Sequence, residues 1–421
     1  MSAKRAFSIV AVTSVLLLSA QGGPIGSWFT ITDRSNDQLN ASIAYNSQRQ
    51  EYLVVWWNDQ PENDDVWGQR VSRNGTLSGP PFLIAYGSGA ERRFPAVAYN
   101  SQHDEYLVVW QEEDASYSSV RGRRVSATGW LPGGVLTVAS GAISDVYCGQ
   151  PAVAYASTAD RYLVIYDYGN TSGWLQSGIA ARAFTSDGSP DGNAFDARPY
   201  GGGSPTLGLS LAYNRARNEF LVVWSESADL SYDVWGRRVK MAGGAGTLGD
   251  IFRVSVNMDS TDDLYPAIAA IPFPAGVGQY LVAWESHYTV SDGDIYAQPV
   301  AGDGTVTVGP AITIANPTTN QTHPAVDGSD SSQQYLVTWS HPSDPPFIFV
   351  GIRGRAVSTG GALLGKETGL GGIFAGHSAV AAGPPGDFLV AYDDVPYTSD
   401  RNIYGRLWGN RIYLPLVQRN H

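Results

Sequence analysis

Residues 51–71 read "EYLVVWWNDQPENDDVWGQRV": an apolar run ending in tryptophan, an acidic loop, and a second run ending in Gln-Arg-Val. The same pattern returns as "EYLVVWQEEDASYSSVRGRRV" at 105–125 and "EFLVVWSESADLSYDVWGRRV" at 219–239. Variants of the first run occupy Glu51–Trp56, Glu105–Trp110, Arg161–Tyr166, Glu219–Trp224, Gln279–Trp284, Gln334–Trp339 and Asp387–Tyr392. Their last aromatics lie 54, 56, 58, 60, 55 and 53 residues apart. A period of this size indicates a propeller or a solenoid.

Each unit holds four strand-like segments, here called a to d. Segment a resembles Pro-Ala-Val-Ala-Tyr-Asn at 95–100, segment b is the Tyr-Leu-Val-Val-Trp run, and segment c is the Val-Trp-Gly-Arg-Arg-Val run. Segment d is shorter, as in "FRVS" at 252–255 or "ITIA" at 312–315. Runs of β-branched and aromatic residues bounded by Gly, Asn, Ser and Pro are strands. The runs are apolar on both faces, as in Leu53-Val54-Val55-Trp56, which fits a sheet sandwiched between two neighbours. The expected fold is therefore all-β: a seven-bladed β-propeller of four-stranded antiparallel blades. A unit of about 55 residues is too short for a β-sandwich of roughly 100. "WFTIT" at 28–32 precedes the first unit and the last unit lacks an obvious strand d, so the N-terminal strand is expected to close the ring over 28–410. "RIYLPLV" at 411–417 is a competitor for that edge.

The N-terminus carries Lys4 and Arg5, the apolar run Ala6–Ala20, and small residues at Ala20 and Gly22. This pattern predicts a secretory signal peptide over 1–22 and a secreted or cell-surface protein. The run is shorter than the roughly 20 residues of a membrane span. The net charge of −12 becomes −14 once Lys4 and Arg5 are removed, which disfavours nucleic acid as a partner. Cys148 is the one cysteine, so no intramolecular disulfide forms, and the residue is expected to be a small buried hydrophobe.

The chain order places the b–c and d–a loops on one face of the ring. The seven b–c windows hold 18 of the 39 acidic residues but one of the 27 Lys/Arg, Arg401, which predicts a negative face. Candidate ligand-binding carboxylates there are Asp64, Asp65, Glu112, Asp229, Asp292 and Asp294. Candidate stacking aromatics outside the repeating positions are Trp57, Tyr117, Trp174, Tyr232, Tyr288 and Tyr397. Such a negative face attracts Ca²⁺ or a cationic partner, although "SDGDIY" at 291–296 lacks the rest of a calcium loop. Four of the six histidines, His287, His323, His341 and His377, fall on this face. His323 and His377 directly precede segment a in adjacent units, near the mouth of the central channel; their counterparts are Asn40, Phe94, Gln150, Gly208 and Tyr265. Two such imidazoles could ligate a transition metal or serve as an acid–base pair, but no third ligand is identified, and the leading expectation is loop histidines bonded to backbone or water.

Segment c carries Gln69, Arg123, Arg182, Arg237, Gln298, Arg355 and Arg406 at one position. A long planar donor in every unit predicts a blade-to-blade contact, stacked on the strand-b aromatic and bonded to backbone. No nucleophile elbow, His-Glu-x-x-His or phosphate loop occurs.

The repeat "EYLVVW…DVWGRRV" resembles tandem repeats of secreted and surface proteins of bacteria, and "IYLPLVQRN" at 412–420 is similar to a short C-terminal tail on some of them. The resemblance implies a β-propeller in an extracellular setting and transfers no catalytic residue. The leading functional expectation is a monomeric binding propeller that needs no cofactor and takes a carbohydrate or protein ligand on its acidic face. A polysaccharide-active hydrolase or metal-dependent lyase is the alternative, and a surface-layer component a third.

Overall fold

The computed structural model describes residues 22–61, 64–142, 147–169, 177–201, 206–228, 231–242, 245–255, 261–289, 292–302, 309–316, 319–342, 350–372, 374–395 and 400–409. Residues 1–21 of the expected signal peptide, Trp174, Asp229, Tyr397 and the 411–421 tail lie outside the described residues.

Seven separate four-stranded antiparallel sheets form the blades of a seven-bladed β-propeller. In six of them the strands follow chain order. Blade 1, for example, runs through Gln38–Asn46, Glu51–Asn58, Asp65–Ser72 and Phe82–Ala85. The seventh takes strands a to c from Ser378–Gly383, Asp387–Asp394 and Asn402–Gly409, and its outer strand from Gly23–Thr32. The N-terminal strand thus closes the ring, pairing from Gly23 with Gly409 to Thr32 with Ile403.

Strand b is buried along its whole length in blade 1 because each face meets a different neighbour. Tyr52, Val54 and Trp56 pack with Leu389 and Ile403 of blade 7, whereas Leu53 and Val55 pack with Tyr106, Val108 and Trp110 of blade 2. This strict alternation of partners explains why both faces read apolar, and the hydrophobic core is a set of seven clusters, one at each blade–blade seam. Cys148 is buried in the seam between blades 2 and 3, where burial pushes its thiol up to about 11.

The repeated donor on strand c does bridge blades, but not by stacking on strand b. The Arg123, Arg182, Arg237 and Arg355 guanidinium groups donate to the carbonyls of Ile84, Val138, Ala197 and Ile314 at 2.8–2.9 Å, each on strand d of the preceding blade. Gln69 and Gln298 are too short for that reach and bond to the carbonyls of Gly79 and Gly309 near their own strand d.

Candidate functional site at the channel mouth

Strand a begins earlier than its apolar pattern suggests. In blades 1 to 6 its register with strand b slips near the start, for example between Leu39 and Ser42, Leu264 and Ala267, and Thr322 and Ala325. These are β-bulges, which re-aim side chains at barrel and propeller rims. Asn40, Phe94, Gly208, Tyr265 and His323 adopt φ of 49–61° there. A non-glycine residue held in that region costs on the order of 1–3 kcal/mol, and such strain gathers at functional sites. In blade 4 a side chain would not fit: a Cβ on Gly208 would stand 2.8 Å from the Tyr265 Cα. In blade 7 the register of strand a with strand b does not slip, and His377 precedes its strand a.

Asn40, Phe94, Gln150, Tyr265, His323 and His377 line one cavity of about 460 Å³ at the mouth. Three of them, Asn40, His323 and His377, are anchored from behind. The Trp57 indole donates to Asn40 Oδ1 at 3.0 Å. Glu285 accepts the His323 backbone N–H at 2.7 Å and lies 3.0 Å from His287 Nε2. Asp393 accepts the His377 backbone N–H at 2.6 Å and the Arg401 guanidinium at 3.3 Å.

The His323 and His377 rings meet edge to face with centroids 4.2 Å apart, and Tyr265 stacks on His323 at 6.0 Å. Burial lowers the pKa of both imidazoles; the charge of His377 lowers His323 further, and Arg401 does the same for His377. Both are therefore neutral at pH 7. Bonds of about 2.1 Å to a tetrahedral ion would hold two imidazole centroids roughly 5 Å apart. The pair is closer than that, in direct contact. Among the described residues no group of three His, Cys, Asp or Glu side chains assembles around a common point. His287 is held by Glu285, and its pKa is raised chiefly by that hydrogen bond. His341 is buried on strand b of blade 6 and does not line the cavity. The four histidines thus resolve into a contact pair at the mouth and two residues outside it.

The carboxylates of the face are largely partnered. Asp64 is buried and takes Arg93 at 2.7 Å; Glu112 takes Arg92 at 2.9 Å; Asp65 is bonded by Gln60 at 3.1 Å. Asp233 pairs with Arg253 and Glu226 with Arg198. These arginines come from strands a and d, which the count over b–c windows leaves out, so the expected open negative face is in part a ring of ion pairs. Asp294 is buried, with its carboxyl pushed up to about 6 by burial, while Asp292 is half-buried. Trp57 is buried too and serves as the support of Asn40 rather than as an open stacking surface. Tyr117 and Tyr288 are exposed as expected; Tyr232 is half-buried.

Six of the nine exposed aromatics among the described residues lie on the mouth face: Tyr86, Tyr117, Tyr200, Tyr265, Tyr288 and Phe374. Tyr86, Tyr200 and Phe374 sit in d–a connections, where unequal loop lengths hide them from an alignment of the repeats.

No protein-family model matches the chain, and no curated protein matches it in sequence. In fold it is similar to a protein of unknown function from Dyadobacter fermentans, at 11% identity and a TM-score of 0.54, over 93% of this chain and 100% of that one. It is also similar to an α-L-arabinofuranosidase from Fusarium graminearum solved with an iminosugar inhibitor, at 12% identity and a TM-score of 0.50, over 80% of this chain and 98% of that one. An intramolecular trans-sialidase from Ruminococcus gnavus aligns at 10% identity and a TM-score of 0.46, over 91% of this chain and 96% of that one. At these identities the likeness is one of fold.

Chemically, the described mouth offers amide groups from Asn40 and Gln150, neutral imidazoles from His323 and His377, and aromatic faces from Phe94 and Tyr265. Such a set hydrogen-bonds hydroxyl groups and stacks on apolar faces of a ring.

Proposed function

We propose that the channel-mouth face binds a carbohydrate, and that the protein does so outside the cell, as its N-terminal segment suggests. The observation that supports this most is the mouth itself. Six different amide, aromatic and imidazole side chains converge on a cavity of about 460 Å³, within the range of small-molecule sites. A sugar presents alternating hydroxyls and C–H faces, and this lining answers both. The arabinofuranosidase among the similar structures acts on a sugar, but it shares the fold alone, so the reading rests on the side chains.

Calorimetric titration with a saccharide panel tests it. Tyr265→Ala is expected to weaken binding about tenfold, the scale of one lost aromatic contact. Phe273→Ala, on the opposite face, leaves binding unchanged. Failure of the whole panel to bind the intact protein, or indifference to Tyr265→Ala, sinks the proposal.

Catalysis is a second reading, favoured by the His323–His377 contact. A neutral imidazole can accept a proton, and its neighbour in contact can hydrogen-bond to the cation formed. Release of shorter products from a bound oligosaccharide, lost in both His323→Ala and His377→Ala, would establish it. Binding without product leaves the propeller a receptor.

A further inference from the structure

A second cavity lies away from the mouth, where blade 3 meets blade 4. It measures about 490 Å³ and is lined by Arg198, Tyr200, Glu226, Trp235 and Ile251 among others. The repeat makes this place unusual. Trp235 occupies the second position of the Val-Trp-Gly-Arg-Arg-Val run, and at that position blades 1, 2 and 7 cover or pair the side chain. Trp67 lies under the Arg34 guanidinium at 3.8 Å, Arg121 pairs with Glu112 at 3.4 Å, and Tyr404 packs edge-on against Trp28 at 5.3 Å. Trp235 instead faces a cavity whose other walls are the exposed Tyr200 and Ile251.

The polar part is built. Arg198 is buried; its guanidinium donates to Glu226, with Nε at 3.1 Å from Oε2, and to the Pro199 carbonyl at 3.1 Å. Glu226 also accepts the Trp224 indole at 3.0 Å and keeps 23% of its side chain exposed. The aromatic wall is held in place as well: Tyr200 stacks on Tyr168 at 6.0 Å, and the Tyr168 hydroxyl donates to Asp196 at 2.8 Å.

We infer that this cavity is a second glycan subsite, which takes one neutral sugar ring of a chain that also engages the mouth. The inference rests on the carbohydrate reading of the mouth. A charged ligand would meet an arginine and a glutamate that already neutralise each other, whereas a neutral sugar can stack its C–H face on Tyr200 and Trp235 and offer hydroxyls to the half-buried Glu226 carboxylate.

The test is calorimetric titration of the full protein with neutral cello-, xylo-, manno- and arabino-oligosaccharides of about one to six units, lengths chosen because linked subsites add avidity only once one ligand spans both. Tyr200→Ala and Trp235→Phe are compared with Tyr265→Ala. Tyr200 is exposed, so its truncation leaves the fold intact, and Trp235→Phe keeps most of the ring volume. The expected result is about a tenfold loss for the longest chains in Tyr200→Ala and a smaller one in Trp235→Phe, with monosaccharide binding unchanged in both. Wild-type affinity at every length in both variants overturns the second subsite and leaves the mouth reading standing. Loss in Tyr200→Ala with indifference to Tyr265→Ala overturns the mouth reading instead. No binding of any chain by the intact protein overturns both.

Discussion

His323 and His377 touch at the mouth, and a proton on either raises the cost of a proton on the other. Burial is the larger cause of the depressed His323 pKa and the His377 charge the second. Their order sets a prediction. In His377→Gln the burial persists and the neighbouring charge is gone, so the His323 pKa should rise while staying below its ordinary value of about 6.5. Imidazole chemical shifts followed through pH by NMR read this directly. An unchanged His323 titration would show that the pair is not coupled. For stability the sign is fixed by the depression: the folded state holds fewer protons, so this contribution is present above about pH 6.5 and fades as pH falls toward the depressed values. Asp327 works the other way. It replaces, on strand a of blade 6, the alanine found at Ala44, Ala98 and Ala381, and burial pushes its carboxyl up to about 6 although it accepts the Ala382 and Gly328 N–H groups at 2.7 and 2.8 Å. Its penalty builds as pH rises from about 4 to 6. The stability gap between Asp327→Asn and the wild type, from urea midpoints, should therefore move in favour of the variant by about 2 kcal/mol between pH 4 and pH 7, at about 1.4 kcal/mol per pKa unit. A gap constant with pH would refute the burial of an ionised carboxylate there.

Strand c shows what one residue in each element adds to a ring. The Arg182 guanidinium donates to the Val138 carbonyl at 2.8 Å, across the seam from blade 3 to blade 2. Arg182→Met would keep the stem and leave that carbonyl without its donor, at about 2 kcal/mol. Hydrogen exchange should report it locally, with faster exchange in Leu136–Ala142, strand d of blade 2, while blade 5 is unaffected. Uniform acceleration over all blades would mean that the contact is global rather than a seam bond. This position was legible in the sequence because its residue type recurs with the period. Its partner was not, since a carbonyl on a neighbouring blade leaves no side-chain signature, and an aromatic on strand b was the nearer guess. The bulges were hidden for a related reason. Asn40, Phe94, Tyr265 and His323 are chemically unlike, so no shared residue type marks the left-handed position they occupy. What the sequence did offer was their placement before strand a, and that put His323 and His377 at the mouth. Trp57 misled because its indole is polar at one atom only, and that atom is spent on Asn40.

At the scale of the molecule, the seven seams are equivalent in packing but one of them is also where the chain closes. Ile25 and Ile31 of the N-terminal strand join Tyr52, Val54 and Trp56 in the seam between blades 7 and 1, and Arg73 reaches Asp387 at 3.2 Å across it. Gly23 pairs with Gly409, so the start of this outer strand lies beside the end of strand c, where the other blades turn from c to d. The ring should therefore be indifferent to where the chain is cut, provided every blade keeps four strands. A permuted chain joining Gly409 to Gly22 through a turn of about four residues, with new ends between Arg34 and Ser35, is expected to fold as a monomer with a melting temperature near that of the parent. The same chain without Gly23–Thr32 exposes the edge of Asn402–Gly409 and uncovers Leu407 and Ile403, which are buried in the closed ring. An open strand edge of that kind pairs with other chains, so this second protein should aggregate or elute as oligomers in sizing. If the permuted chain unfolds while the truncated one stays monomeric, closure by the N-terminal strand is wrong; if both remain monomeric and equally stable, the outer strand of blade 7 contributes nothing to the ring.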